Sequence, residues 1–548
     1  MSSRFALLLL IPMILSAANS TAPAISGVAN SASNRAPGLS ASGIAQGSIF
    51  TVYGANLGPA SCNAVLAFPL QTSMCGVSLT VTVNGTSTAP LPLFVYATQI
   101  NAILPSLTPA GSGTITVTYN NQTSATSAIQ VMNTAFGTFT PTGNGAGQAS
   151  VTDTNYNLNT IIHTLHPGDV GILWGTGLGP ISGSDGAAPP VGNIGTPTVY
   201  VGNTAVTPGY AGRSGCCSGL DQIVFTVPQG VQGCYVPIAV QAGGDVGNIA
   251  TIAVSAAGQN TCSDSVMGQD LINKLAAGNN VNFGYIRLES KTATVAGAVG
   301  AGSAGLGDFA YATFSGFTPQ TAYFAEYGVS TGYCVTTEYD FGGYTATADL
   351  SIFDAALDAG SALSIEGPVN TPGPFAPLTP GYYYLYLSSV VAHYLYSDDN
   401  YIVTGPGGAD VGAFTATDTT SIPSAAFAGV NANQTIPRSS DLTVQWTDGN
   451  PALQNGQVTI GGFSASTDGS LYSSFQCTGP VTAQKFTIPA WVLSTLPPSG
   501  TGQSGSLTYP IGFIWIGQYN TSATFTAPGL DRGVISDVFF QGKDVSFQ

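Results

Sequence analysis

The stretch QGSIFTVYGANLGP at residues 46–59 recurs 121 residues later, at 167–180, as PGDVGILWGTGLGP. Gly47, Tyr53, Gly54, Leu57, Gly58 and Pro59 align with Gly168, Trp174, Gly175, Leu178, Gly179 and Pro180. Each copy is a short apolar strand closed by a glycine-rich turn. Glycine supplies backbone angles closed to other residues, and proline stops the strand. Further landmarks follow in the same order. Gln99, Ile100 and Pro105 return as Gln222, Ile223 and Pro228, and Val131 returns as Val254, now at an offset of 123. The drift of two residues belongs in a loop, and the kept order marks a tandem duplication.

Residues 25–132 carry β-prone runs at 48–53, 77–83, 93–96, 114–119 and 128–132, separated by turns such as Asn84-Gly85. No segment shows a helical apolar period. Short strands with turn signals at this spacing predict an antiparallel β-sandwich, and residues 133–256 repeat the plan. The series Gly–apolar–Gly–x–x–Leu–Gly, a Val-rich strand with Asn-Gly, then Gln-Ile and a Pro resembles the IPT/TIG immunoglobulin-like domain. The span from about 25 to 254 is similar to a duplicated module of large exported bacterial proteins. The most specific parts of the likeness are GRSGCCSGLDQIVFTVP at 212–228 and GCYVPIAV at 233–240. The resemblance implies secreted or cell-surface sandwiches and brings no catalytic residues. The first copy departs from the second by lacking counterparts of Cys216, Cys217 and Cys234.

At 263–278 the pattern changes. Met267, Leu271 and Leu275 recur every four residues beside Ile272, with Ser263 or Asp264 to cap the start and Gly278 to stop the end. This predicts a short linking helix. Residues 279–415 return to β character, and 416–548 read as another sandwich in which Leu442, Val444 and Trp446 alternate inward. The expected fold is all-β: tandem immunoglobulin-like β-sandwiches, one short linking helix, then further β-sandwich domains.

Residues 1–20 join Arg4, an apolar run at 5–15 and small residues at 16–20, the make-up of a secretory signal peptide. Export makes disulfides the expected state of Cys62, Cys75, Cys216, Cys217, Cys234, Cys262, Cys334 and Cys477. The expected pairs are Cys62 with Cys75 and Cys334 with Cys477. Cys216 and Cys217 are expected to be shared between Cys234 and Cys262, because a bridge between adjacent cysteines strains the peptide joining them. Net charge is −16, and no Lys or Arg falls between Arg35 and Arg213. Nucleic-acid binding needs clustered cations to neutralise phosphates, so that class is set aside. Beyond the leader no apolar run approaches the ~20 residues of a membrane helix.

No catalytic residue, metal ligand or cofactor is assigned. A Gly-x-Ser-x-Gly nucleophile elbow is missing. Glu289, Glu326, Glu338, Glu366, Asp340 and Asp349 offer carboxylates for glycoside hydrolysis, but nothing singles out a pair. His163 and His166, with Asp169, make a thin metal set, and Asp398-Asp399-Asn400 with Asp410 offers oxygens for calcium but reads first as polar turns. The remaining signal is aromatic: seven tyrosines lie between 382 and 401. Strand alternation puts Tyr382, Tyr384 and Tyr386 on one face, where rings can stack on sugars and hydroxyls can hydrogen-bond. The chain therefore reads as an exported, non-catalytic structural, adhesive or binding protein. The second reading is a carbohydrate-binding accessory protein using 382–401, and the third a hydrolase within 279–548. Few charges guard the strand edges against pairing, so the expected partners are other cell-surface proteins, copies of itself or polysaccharide.

Overall fold

The computed structural model describes residues 22–63, 66–264, 266–294, 307–321, 328–340, 355–369, 373–387, 394–396, 399–420, 426–447, 456–504, 506–519 and 523–548. The expected signal peptide at 1–20 lies outside them. In both copies of the repeat the glycine-rich stretch becomes a central strand. The first copy contains β1 (Ala24–Asn30), β2 (Ile49–Ala55), β3 (Val77–Val83), β4 (Leu91–Val95), β5 (Gln99–Ile103), β6 (Gly111–Tyr119) and β7 (Ser127–Met132). One sheet runs β1-β2-β5-β4, and β7-β6-β3 form the middle of the other. Val77, Leu79, Val81 and Val83 alternate inward along β3 and meet Phe50, Val52 and Ile100 from the facing sheet. This is the packing of a β-sandwich.

The second copy contains β8 (Val170–Thr176), β9 (Thr198–Val201), β10 (Tyr210–Arg213), β11 (Asp221–Thr226), β12 (Gly233–Ala242) and β13 (Ala250–Val254). Its sheets centre on β8-β11-β10 and on β9-β12, with β13 on β12. The registers of the two copies correspond. Tyr53 faces Gln99 across β2 and β5, and Trp174 faces Gln222 across β8 and β11. The shared glycines do the same work twice. A Cβ on Gly54 would stand 2.0 Å from the Ala24 carbonyl oxygen, and one on Gly175 2.3 Å from that of Gly137. Both positions let the first strand of a copy lie directly on the central one.

A buried polar joint locks the copies together. The guanidinium of Arg213 pairs with Asp221, and its Nη2 donates to the carbonyls of Gly47 and Gly179, each at 2.8 Å. Ile49 N–H donates to Thr176 Oγ1 at 2.9 Å, and that hydroxyl donates to Gly219 O at 2.6 Å. Arg35 Nη1 donates to Val246 O at 2.8 Å. Both arginines that bracket the cation-free stretch are therefore buried, each crossing between the copies. Breaking one partner of a buried, hydrogen-bonded ion pair costs about 3–5 kcal/mol.

The linking helix, α1 (Gln269–Ala276), is shorter than expected and starts after Gly268. Asp264 Oδ1 instead accepts from the N–H groups of Val266 and Met267 in the preceding turn. Leu271, Ile272 and Leu275 point into a small core with Val281, Phe283 and Val534.

Among the described residues the second half is organised by one sheet of twelve strands. Its strands include β14 (Val281–Thr294), β15 (Gly307–Phe317), β16 (Cys334–Asp340) and β17 (Tyr382–Tyr386). Two strands outside this sheet follow, β18 (Asn400–Gly405) and β19 (Phe414–Thr419), and then β20 (Leu442–Thr447). The large sheet also contains β21 (Gln457–Ala465), β22 (Leu471–Pro480), β23 (Gly512–Tyr519) and β24 (Arg532–Phe547). These eight run in the order β16-β22-β21-β23-β24-β14-β15-β17, with the short strand Ala376–Thr379 beyond β17 and three short strands alongside the path. The expected division at 415/416 does not separate sheets. β14 and β24 pair in parallel from Phe283 with Arg532 to Thr294 with Lys543, so strands from both stretches form one surface. Two three-stranded sheets, one containing β18-β19 and the other β20, pack on one face of it.

All eight cysteines are paired: Cys62–Cys75, Cys216–Cys217, Cys234–Cys262 and Cys334–Cys477. The expectation for Cys216 and Cys217 is corrected. They bond to each other on an exposed turn between β10 and β11, whereas Cys234 and Cys262 are buried together beside α1. Cys234 and Cys262 take each other as partners, and Cys216 and Cys217 bond to each other despite the local strain.

Replacing Arg213 by Ala leaves the fully buried Asp221 carboxylate facing the joint without its cation. The expected loss is about 3–5 kcal/mol, read from urea unfolding of the intact chain. A wild-type midpoint would show that the joint contributes little.

Candidate functional site on the large sheet

Strand alternation gives the large sheet two different faces. Ile286, Leu288, Ala310, Ala312, Phe314, Tyr383 and Ile535 turn toward the core. The opposite face of β14, β15 and β17 carries Arg287, Glu289 and Lys291, then Phe309 and Tyr311, then Tyr382, Tyr384 and Tyr386. The three tyrosines named from the sequence thus share one face. Register sets Tyr384 opposite Tyr311 and Tyr386 opposite Phe309. The ring centroids of Tyr311 and Tyr384 lie 5.3 Å apart, and those of Phe309 and Tyr386 lie 5.0 Å apart. Tyr386 is 39% exposed, while Phe309 is buried beneath its neighbours.

Charge is held into this layer by the aromatic rings. The Arg287 guanidinium lies 4.9 Å from the Tyr311 ring centroid, and Lys291 Nζ 5.2 Å from that of Phe309. Glu289 sits between the two cations, with oxygens 2.9 Å from Arg287 Nη2 and 2.5 Å from Lys291 Nζ. Its side chain is 2% exposed, against 32% and 37% for the cations. Burial raises the hydroxyl pKa of Tyr311, Tyr382 and Tyr384 further above a range that already leaves tyrosine protonated at neutral pH.

Phe309 and Tyr311 were missed by sequence reasoning, although FAYATF alternates them onto one side. The long-range pairing of β15 with β17 was the missing information. RLESK likewise places Arg287, Glu289 and Lys291 on one side of a strand, and that signal was available locally.

The other candidates disperse. His163 Nε2 lies 3.3 Å from Asp153, and His166 bridges Asp169 at 2.8 Å and Gln259 O at 2.6 Å. Among the described residues no group of three or more His, Cys, Asp or Glu side chains could hold a metal ion. Glu289 is tied into its ion pairs, and Glu326 and Asp349 lie outside the described residues. Asp398 does too, while Asp410 accepts the Asp358 N–H at 2.8 Å. Sequence reasoning also missed Asp418 and Asp537, two carboxyls sealed in the core on facing elements. Burial raises the pKa of Asp418 against a hydrogen bond with Asp537 that lowers it.

The hydrogen bond with the Gln259 carbonyl raises the His166 pKa, burial opposes this, and Asp169 adds to the rise. A raised folded-state pKa stabilises fully below the unfolded value near 6.5 and ceases to do so above the folded one. His166→Asn should therefore destabilise the chain more at pH 5.5 than at pH 8.5 in paired thermal melts. An equal loss at both would remove the role assigned to the charge.

No protein-family model and no curated protein matches the chain. Similar solved structures include the plexin A4 extracellular region, at 16% identity and TM-score 0.17, covering 42% of this chain and 18% of that one. Domains 5–6 of the S-layer protein SbsC match at 14% identity and TM-score 0.18, covering 43% of this chain and 99% of that one. SGBP-B, from a complex xyloglucan utilization locus in Bacteroides uniformis, matches at 12% identity and TM-score 0.17, covering 73% and 98%. This chain thus spans under a fifth of the plexin. Likenesses at these TM-scores carry no weight for its fold or its activity, and its all-β tandem architecture stands on the sheets described above. Among the described residues no helix is long and apolar enough to cross a membrane.

Proposed function

We propose that this chain is an exported binding protein without catalytic activity, and that it holds polysaccharide on the aromatic face of its large sheet. In this reading the two copies at 25–132 and 133–256 are IPT/TIG-like modules that position the second half outside the cell. Four disulfides support the oxidising compartment such a role requires. The observation that carries the reading is the row Phe309, Tyr311, Tyr384 and Tyr386 on the sheet face turned away from the core. Tilted tyrosine rings seated on the buried Phe309, with their hydroxyls at the rim, offer a sugar both apolar contact and hydrogen bonds.

The test is affinity electrophoresis of the intact chain through gels cast with a panel of polysaccharides. Tyr384→Ala should weaken retention about tenfold, equivalent to ~1.4 kcal/mol, with the unfolding midpoint held near wild type. Free migration of the wild-type chain through every gel would sink the proposal.

A further inference from the structure

The aromatic face does not stop at β14. On the other side of β24 the same face carries Phe540, Trp515, Phe513, Phe463 and Tyr472, on β24, β23, β21 and β22. Neighbouring rings remain in contact along the way. Tyr472 and Phe463 are 5.3 Å apart, Phe463 and Phe513 5.9 Å, Phe513 and Trp515 6.3 Å, and Trp515 and Phe540 6.4 Å.

Three of these rings pack against glycines. A Cβ on Gly461 would meet Trp515 at 2.1 Å, one on Gly542 would meet Phe513 at 2.1 Å, and one on Gly517 would meet Phe540 at 2.3 Å. Trp515 lies across Gly461, whereas the edge of Phe540 and the tip of Phe513 enter the space at Gly517 and Gly542. Trp515 and Phe540 meet edge to face at 82°, and Phe513 is buried between its neighbours. Glycine opposite an aromatic is thus the local device that seats a ridged row of rings on this half of the sheet.

Lys291 joins the halves. It is the register partner of Phe540 on β24, and its ammonium lies over Phe309 on β15. With Arg287 it brings two cations to the middle of the row, opposed there by the buried carboxylate of Glu289, while Asp544 is buried further along the same face opposite Phe513. The row crosses seven strands, and six spacings of about 4.8 Å make it roughly 29 Å long.

We infer that the face is one continuous site for a linear acidic polysaccharide, whose sugar rings rest on both aromatic halves and whose carboxylate is met by Lys291 and Arg287. This rests on the polysaccharide reading above and specifies its ligand class. Charge complementarity selects the ligand. Two of only ten Lys and Arg in a chain of net charge −16 stand at the centre of this row. Repulsion from the remaining acidic surface is screened beyond about 8 Å at physiological salt, whereas the two cations act at contact. Sparse carboxylates suit this arrangement, and the dense phosphates of a nucleic acid do not.

The experiment casts gels with alginate, xanthan and hyaluronan, each beside its carboxyl-reduced form, and with single-stranded DNA. The intact chain should be retained by at least one acidic polymer at least tenfold more strongly than by the reduced form, and less so as salt rises. Lys291→Gln should erase that preference while Lys291→Arg keeps it. Trp515→Ala and Tyr384→Ala should each weaken retention about tenfold, and Trp515→Phe should restore most of it. Thermal melts confirm that each variant is folded. Should Lys291→Gln fail to fold, the salt dependence and the carboxyl-reduced gels decide the same question. Equal retention by acidic and reduced forms would overturn the acidic class while sparing the polysaccharide reading. Loss in Tyr384→Ala without loss in Trp515→Ala would overturn the continuous site. Retention by DNA alone, or by no polymer, would overturn both.

Discussion

The parallel pairing of β14 with β24 is the seam on which the second half depends. It hydrogen-bonds the first long strand after the linking helix to the last strand of the described chain, over twelve successive residue pairs from Phe283–Arg532 to Thr294–Lys543. Parallel strands cannot be joined by a tight turn, and here the connection contains most of the second half. The intervening chain therefore has to build outward on both sides of the seam: β15 and β17 on one, β23, β21 and β22 on the other. The pleat of that single sheet then sorts side chains into a core face and an aromatic face along its whole width.

The core face is closed by two small sheets, and their separate cores match the two sides of the seam. Tyr383, Tyr401, Phe414 and Ile535 pack together on the β15 side. Trp446, Phe475, Ile514 and Phe547 pack on the β23 side. Cys334 and Cys477 are register partners in neighbouring strands, and their bond fixes the far edge strand to the sheet. The charged groups that survive in this weakly charged chain are placed with similar economy. Arg35 and Arg213 are spent on the joint between the repeats, and Arg287 and Lys291 on the aromatic face.

Much of this was legible where the cause was local. The corner glycines announced the duplication because Gly54 and Gly175 each leave room for a crossing strand, a demand met only by the absence of a side chain. Tyr382, Tyr384 and Tyr386 share a face by simple alternation, and Leu271, Ile272 and Leu275 mark the buried side of a short helix. Features that depend on distant partners do not follow from the local sequence. The boundary at 415/416 followed a glycine-rich turn, but backbone hydrogen bonds between β14 and β24 run across it. Peptide strain alone argues against a Cys216–Cys217 bridge, yet the two bond to each other once Cys234 and Cys262 are paired.

The amino-acid order alone determined the kind of element at each place: the duplicated sandwiches, the helix, the two-faced strands and the residue types each face would show. Those outcomes rest on interactions within a few residues, where backbone angles and side-chain alternation suffice. Tertiary structure decided which faces adjoin. It brought Phe309 beside Tyr386, Lys291 beside Phe540, and Arg213 against Gly47, contacts between residues far apart along the chain. Such neighbours are chosen by the burial and hydrogen bonding of whole sheets, and no short stretch of sequence encodes that choice.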